Sequence, residues 1–336
     1  MKILGLIGPT GGCYFYRHLV PAHIMNKRGH DFRTTNVIFE DMFSHIDFHP
    51  DVIYCQRVDS PRVLNILHKW GLPWIYDIDD NYINIPEGNP SNYLRKHMPR
   101  IKLFMENSRL VTVTTQELAT LYSTYAKVKI IKNTIPEEWK TLQPSINRSP
   151  RLTIGWAGSM THGPDLALVR KAFTKLNKKY DFQVIFFGYI PDWALSGFKS
   201  IYVRPVPIER YIDTLLTLPV DIAVAPLVDN KFNRAKSNIK ILEYGLCAFP
   251  VVASDVGEYS KIPSEVLVKV KNTTEDWYNA LERLIKDESR RKLGIKLRDW
   301  VLDTHTSDRV ADDWEDAFLQ VSKSDKEDQI HEKINK

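Results

Sequence analysis

Apolar positions along this chain fall into short runs separated by stretches of helical period, and the two kinds alternate from the first residues onward. Lys2 to Ile7 reads as a strand, followed by the turn Gly8-Pro9-Thr10-Gly11-Gly12 and a helical pattern from Tyr14 to Asn26. Further runs predict strands from Phe32, over Val52 to Cys55, Trp74 to Tyr76, Leu110 to Val113 and Val128 to Ile131. Helical spacing covers Pro61 to Trp70, Tyr93 to Glu106 and Gln116 to Tyr122 between them. Strand, turn and helix in alternation predict a parallel sheet with helical crossovers.

The pattern then breaks and restarts. From Glu137 to Arg151 the chain is polar and proline-bearing, as an interdomain linker would be. A second series follows, with strands over Leu152 to Trp156, Phe182 to Phe187, Ser200 to Val203, Asp221 to Ala225 and Phe249 to Ala253. We therefore expect an α/β chain with a first Rossmann-like domain over 1–136, a linker over 137–151 and a second over 152–305. A helix over 306–323 is placed to pack back towards the first domain. The charged tail 324–336 lacks apolar periodicity and is expected to fray.

Candidate chemistry concentrates between Phe232 and Tyr259. Asn233 reads as a helix cap, with Lys236, Ser237 and Asn238 in the first turn and Ile239, Leu242 and Leu246 at helical spacing. Lys236 and Lys240 sit four apart, so both amines would leave one helix face beside free N–H groups and a partial positive charge. That combination describes a seat for a diphosphate. Glu243 lies on the same side, where a carboxylate could accept hydrogen bonds from a ribose diol. The competing reading is an amphipathic helix with solvated lysines.

Three other places carry chemistry. Gly158 and Ser159 end the first strand of the second series, with His162 and Asp165 at the next helix start; small residues there leave N–H groups open to phosphate. Asp165 alternatively caps that helix. Asp77, Asp79 and Asp80 follow the strand ending at Tyr76, and three carboxylates at a strand's end must be solvated, paired or bound to something. Asp77-Ile78-Asp79 is formally a DxD, a pattern whose carboxylates can hold a metal ion on a nucleotide diphosphate in a different fold. The complete second α/β series, with its own phosphate seat, argues against that. Arg57 faces the same edge, towards a phosphate or towards these carboxylates. Gly12, in the first glycine turn, lets backbone approach a ligand.

Composition narrows the class. The chain has 336 residues, 43% of them hydrophobic, enough for two cores. No apolar run approaches the roughly 18 residues of a spanning helix, and Met1-Lys2-Ile3-Leu4 opens directly into a strand, so no leader is expected. Cys13, Cys55 and Cys247 are far apart and apolar-flanked, which predicts reduced thiols and a soluble cytoplasmic protein. Net charge is +5. Residues 1–150 hold 18 Lys+Arg against 14 Asp+Glu, and the remainder 28 against 27. The surplus includes Arg95, Lys96, Arg100, Lys102 and Arg109, with Lys127, Lys129 and Lys132 further on. It is either an ordinary solvated face or a surface for an anionic acceptor. Zinc spacing, a P-loop and a nucleophile elbow are absent.

The segment with Lys236-Ser237, Lys240, Glu243-Tyr244 and Pro250-Val251-Val252-Ala253-Ser254 resembles the donor site of family 4 glycosyltransferases, retaining enzymes of the GT-B fold. Arg28-Gly29-His30 and Asn133-Thr134-Ile135-Pro136 also resemble turns of that family. The family's first glutamate, which contacts the donor sugar, would fall at Ala235 and is absent; a branch with lysine-serine and EY is nearer. The resemblance implies two facing Rossmann-like domains with an interdomain cleft, and transfer from a UDP- or GDP-type sugar donor with no metal or other cofactor. It implies catalytic roles for Lys236, Lys240 and Asp79. Donor contacts would come from Gly12, Gly158, Ser159, His162, Ser237, Asn238 and Glu243, and acceptor-side contacts from Arg57, Asp77 and Asp80. The expected acceptor is a glycan or lipid-linked glycan, which admits peripheral membrane contact. The alternatives are a DNA glycosyltransferase acting on a hydroxymethylated base and a non-catalytic nucleotide-sugar-binding protein. Oligomeric state is left open.

Overall fold

The computed structural model describes residues 1–8, 11–145 and 149–334, with side chains described as far as Lys323. Pro9 and Thr10 of the first glycine turn, residues 146–148 of the expected linker, and the last two residues lie outside the described residues.

Two compact units form. One comprises Met1–Ile83, Leu94–Thr134 and Ser307–Lys336; the other comprises Asn84–Tyr93 and Ile135–Thr306. Each holds a six-stranded parallel sheet flanked by helices. In the first, β1 (Lys2–Ile7), β2 (Asp31–Thr35), β3 (Val52–Gln56), β4 (Trp74–Asp77), β5 (Leu110–Val113) and β6 (Val128–Ile130) lie in the order β2-β1-β3-β4-β5-β6. Its helices are α1 (Gly12–Tyr14), α2 (Val20–Lys27), α3 (Met42–His45), α4 (Pro61–Trp70), α5 (Met98–Glu106) and α6 (Gln116–Tyr122). Val52, Ile53, Tyr54 and Cys55 are wholly buried, as strands covered on both faces require.

In the second unit, β7 (Leu152–Ala157), β8 (Phe182–Phe187), β9 (Lys199–Val203), β10 (Ile222–Ala225), β11 (Val251–Ser254) and β12 (Val268–Val270) lie in the order β12-β11-β10-β7-β8-β9. The helices are α7 (Gly163–Asn177), α8 (Ile208–Thr217), α9 (Lys231–Arg234), α10 (Ile239–Leu246), α11 (Thr274–Lys286) and α12 (Arg291–Thr304). Two cores cover the sheet's faces, one around Leu242, Leu246 and Val301, the other around Phe173, Trp277 and Leu281.

Helix α13 (Ala311–Ile334) belongs to the first unit. Its Phe318 meets Phe32 and Tyr54 edge-on, and Arg28 pairs with Asp312 at 2.6 Å and with Glu315. Its backbone stays helical to Ile334, through the tail expected to fray.

Three boundaries differ from the sequence reading. Asn84–Tyr93 groups with the second unit, although it lies inside the 1–136 span. The described part of the 137–151 stretch also packs there: Arg298 donates to the Leu142 carbonyl at 2.5 Å. The helix predicted over Tyr93 to Glu106 opens as a 3-10 turn, Asn92–His97, because Pro99 at the second position starts α5 afresh.

Candidate functional site

Strands β7 and β10 are neighbours whose crossovers run to opposite sides, which makes their carboxyl ends the switch point of the second sheet. Open α/β sheets bind ligands in the crevice outside such a point. The backbone at the end of β7 is held from α10: the Tyr244 hydroxyl accepts from the Ala157 N–H at 2.8 Å, and Lys240 Nζ donates to the Ala157 carbonyl. The Lys240 ammonium also lies 5.0 Å from the Trp156 ring centre. Burial pulls its pKa down from 10.5 to about 8, against the attraction of Glu243 and Asp165.

Glycines permit this closeness. A Cβ on Gly158 would stand 2.8 Å from Trp156 and 2.9 Å from Lys240 Nζ. A Cβ on Gly188 would stand 2.5 Å from the Gly158 carbonyl, and Gly188 has φ +95°.

The second lysine is reached differently from the expectation. α9 is capped by the Asn230 side chain, which accepts from the Asn233 N–H, and α10 begins only at Ile239. Lys236, Ser237 and Asn238 therefore form the passage between two helices rather than one first turn. Lys236 Nζ lies 4.4 Å over the Phe232 ring. Asn238 stands at the α10 N-terminus without a side-chain cap bond. Asn233 is buried rather than capping, and its amide donates to Asp165 Oδ1 at 2.9 Å and to the Val228 carbonyl at 2.9 Å.

Asp165 has a larger part than a helix cap. It is 4% exposed, accepts from the Val228 N–H at 2.8 Å through Oδ1, and meets His162 Nδ1 at 2.8 Å through Oδ2. It thereby clamps the β7–α7 turn to the loop after β10. Burial pushes the His162 pKa down to about 4, Asp165 opposing and the two lysines assisting. Ser159 Oγ pairs with Thr161 Oγ1 at 2.7 Å, and Asn89 donates to the Thr161 carbonyl at 3.1 Å. The Gly158 N–H donates to the Phe187 carbonyl at 2.9 Å, so it is not open to a phosphate as the small-residue argument supposed. Glu243 is buried and accepts from the Tyr211 hydroxyl at 3.1 Å. Ser254 accepts from the Leu227 N–H and donates to Asn272, bracing the loop after β10.

In the first unit the switch point lies between β1 and β3. Gly12 is exposed at the start of α1. Arg57, at φ +55°, turns back beneath the sheet edge, donates to the Tyr82 hydroxyl and stands 3.6 Å from Asp79 Oδ1. Of the two expected directions, Arg57 lies towards a carboxylate, Asp79. Burial pushes the Cys13 thiol up, and the Asp79 charge adds to that. Asp80 turns its carboxylate to the Asn81 N–H at 3.2 Å.

Asp77 is a correction. It is wholly buried and receives Arg17 Nη2 at 2.6 Å and the Thr112 hydroxyl at 2.7 Å, which leaves it out of an acceptor's reach. Arg17 is the residue that sequence reasoning missed. It sits in a π-helical turn, Phe15–Leu19, between α1 and α2, donates to the Ile131 carbonyl at 2.6 Å, and stacks 4.8 Å over Trp314. Nothing local to Arg17 marks it, since its partners are 60 and more residues away.

The basic run is partly neutralised. Asp59 takes His97 and lies 3.8 Å from Arg100, Glu106 takes Lys102 at 3.5 Å, and Lys129 donates to the Asp313 carbonyl at 2.8 Å. Among the described residues no group of three or more His, Cys, Asp or Glu could hold a metal ion, and no helix is long and apolar enough to cross a membrane.

Residues 151–287 match the family model described as "Glycosyl transferases group 1". A search of the curated proteins gives no match. Among solved structures, the chain is similar to a sucrose-phosphate synthase from Thermosynechococcus elongatus, at 13% identity and TM-score 0.68, covering 95% of this chain and 99% of that one. It is likewise similar to HepE from Anabaena, solved with UDP and glucose, at 13% identity and TM-score 0.64, covering 95% and 98%. A third is an alpha-glucosyltransferase in complex with UDP, at 10% identity and TM-score 0.66, covering 95% and 99%. The chain therefore carries a glycosyltransferase domain within a GT-B fold.

Proposed function

We propose that the protein transfers a sugar from a nucleoside-diphosphate donor to a hydroxyl acceptor with retention, as enzymes of family 4 do. One observation carries this: Lys240, anchored to the end of β7, and Lys236, just ahead of α10, surround the switch point that open α/β sheets use for ligands. The solved HepE and alpha-glucosyltransferase complexes hold UDP, which supports a UDP-type donor. As the bond from the anomeric carbon to the β-phosphate oxygen breaks, negative charge grows on the leaving diphosphate. Two ammonium groups and the uncapped helix end stabilise that charge without a metal. Glu243 holds the ribose diol, and Ser159, Ser237 and Asn238 offer further polar contacts to the diphosphate. Asp79, steadied by Arg57, orients the acceptor hydroxyl and takes its proton.

A glycan or lipid-linked glycan is the favoured acceptor. Asp59, Glu106 and Asp313 engage Arg100, Lys102 and Lys129, leaving less charge for the phosphate contacts that nucleic acid demands. Lys236→Ala and Lys240→Ala should each lower turnover by about 10²-fold at saturating donor, with the fold retained. EDTA should leave wild-type activity intact. Wild-type turnover in either variant removes the assignment, and activity lost to EDTA but restored by Mn²⁺ removes metal independence. Donor binding without release of nucleoside diphosphate favours the non-catalytic binder.

A further inference from the structure

A seat built from ammonium groups and backbone N–H groups only donates. It recognises phosphate by charge, whereas telling one sugar from another requires a polar group fixed against a particular hydroxyl. Ala235, just before Lys236, is buried and offers no polar side chain. Glu243, beside the Tyr211 hydroxyl, is assigned above to the ribose diol and not to the sugar.

His162 has the required property, and its neighbours impose it. Asp165 Oδ1 accepts from both the Val228 N–H and Asn233 Nδ2, at 2.8 Å and 2.9 Å, so its carboxylate position is fixed by the loop after β10. Oδ2 meets His162 Nδ1 at 2.8 Å. A carboxylate so used accepts, which places the imidazole proton on Nδ1 and leaves a lone pair on Nε2. No described residue hydrogen-bonds that Nε2. Burial together with Lys236 and Lys240 keeps the ring neutral, with a pKa near 4, so the lone pair persists at physiological pH. His162 belongs to the turn that Lys240 holds: its N–H donates to the Ser159 carbonyl at 3.1 Å, and a Cβ on the adjoining Gly158 would stand 2.9 Å from Lys240 Nζ.

Resting on the donor reading above, we infer that His162 is a specificity-determining residue whose Nε2 accepts a hydrogen bond from a hydroxyl of the donor sugar. Asp165 is the positioning residue that sets the tautomer. This gives the β7–α7 turn a second role beside the phosphates.

The tautomer supplies the test. Asp165→Asn keeps the shape and, with its oxygen still accepting from Val228 and Asn233, turns an amide N–H towards His162 Nδ1. The imidazole proton then moves to Nε2, converting the acceptor into a donor while His162 stays in place. Calorimetric titrations of wild type, Asp165→Asn, His162→Phe and His162→Gln use UDP and UDP-glucose as probes, with GDP and GDP-glucose beside them. For the pair that wild type binds, His162→Phe should hold the nucleoside diphosphate within about twofold and lose the sugar nucleotide by about tenfold, one hydrogen bond's worth, and Asp165→Asn should lose only part of that, because a sugar hydroxyl can also accept from the new Nε2–H. His162→Gln, whose amide oxygen can accept, should recover most of that loss. Equal losses for both ligands, or none, overturn the inference and leave the diphosphate seat standing. Wild type that binds none of the four probes removes the donor reading, and this inference with it.

Discussion

Lys240 holds its ammonium among Trp156, Tyr244 and the Ala157 carbonyl, where burial lowers its pKa from 10.5 to about 8. Because the unfolded chain keeps that proton up to a higher pH, the folded state carries a penalty that is complete below about pH 8. The penalty is relieved as pH rises from about 8 towards 10.5, so this residue makes stability increase across that window. Under the proposed function activity runs the other way, since the charged form is the one proposed to meet the leaving diphosphate. We expect kcat/KM to fall above about pH 8, with Lys240→Arg removing that alkaline limb, in a pH series at fixed ionic strength. A limb unchanged in Lys240→Arg would mean that another group titrates. Buried Asp77 and Arg17 show a contrasting use of charge. Replacing Asp77 by Asn should cost about 3–5 kcal/mol by leaving the Arg17 guanidinium uncompensated, measured by denaturant unfolding. A loss under about 1 kcal/mol would contradict a structural ion pair.

Among the elements, the side chains of Asp165, Asn233, Lys240 and Tyr244 join the β7–α7 turn to the loop after β10 and to α10, while Gly188 lets the end of β8 close directly on the Gly158 carbonyl. Gly188→Ala should therefore destabilise by about 1–3 kcal/mol in a thermal melt, through its positive φ and the nearby Gly158 carbonyl. Gly158→Ala presses on Trp156 and Lys240, so turnover should fall by about tenfold while stability falls less. Equal stability and turnover in both variants would contradict the close packing. Strand existence was legible from sequence because β-branched runs such as Val251–Ser254 advertise burial on both faces. The break between α9 and α10 was not. Asn230 and Asn233 are equally good caps on paper, and the choice falls to Asn230 because Asn233 is drawn to Asp165, 68 residues away. Lys240, Glu243 and His162 stood out in the sequence as candidates by spacing, type and family resemblance. Asp165 as a clamp and Tyr211 as a partner of Glu243 depend on loops meeting in space, which no local pattern records.

At the scale of the whole molecule, the chain leaves the first unit, builds the second, and returns with α13 to cover the first sheet. Trp314 lies on Arg17, beside Tyr54 and Phe318, and is 1% exposed. Trp314→Ala should cost about 3–5 kcal/mol of stability, read by denaturant unfolding, as truncation of a buried aromatic does. The second unit carries the matched glycosyltransferase domain and the lysine seat, so donor binding should depend on it in a way that two substitutions can abolish. The most direct test is thermal unfolding in EDTA with UDP-, GDP- and ADP-sugars, for wild type and the Lys236→Ala/Lys240→Ala double variant. One nucleotide class at 100 times its Kd should stabilise wild type by about 2.7 kcal/mol, and the double variant should gain none of it. Stabilisation that survives in the double variant, or that no nucleotide sugar produces in wild type, would contradict the assignment of this seat.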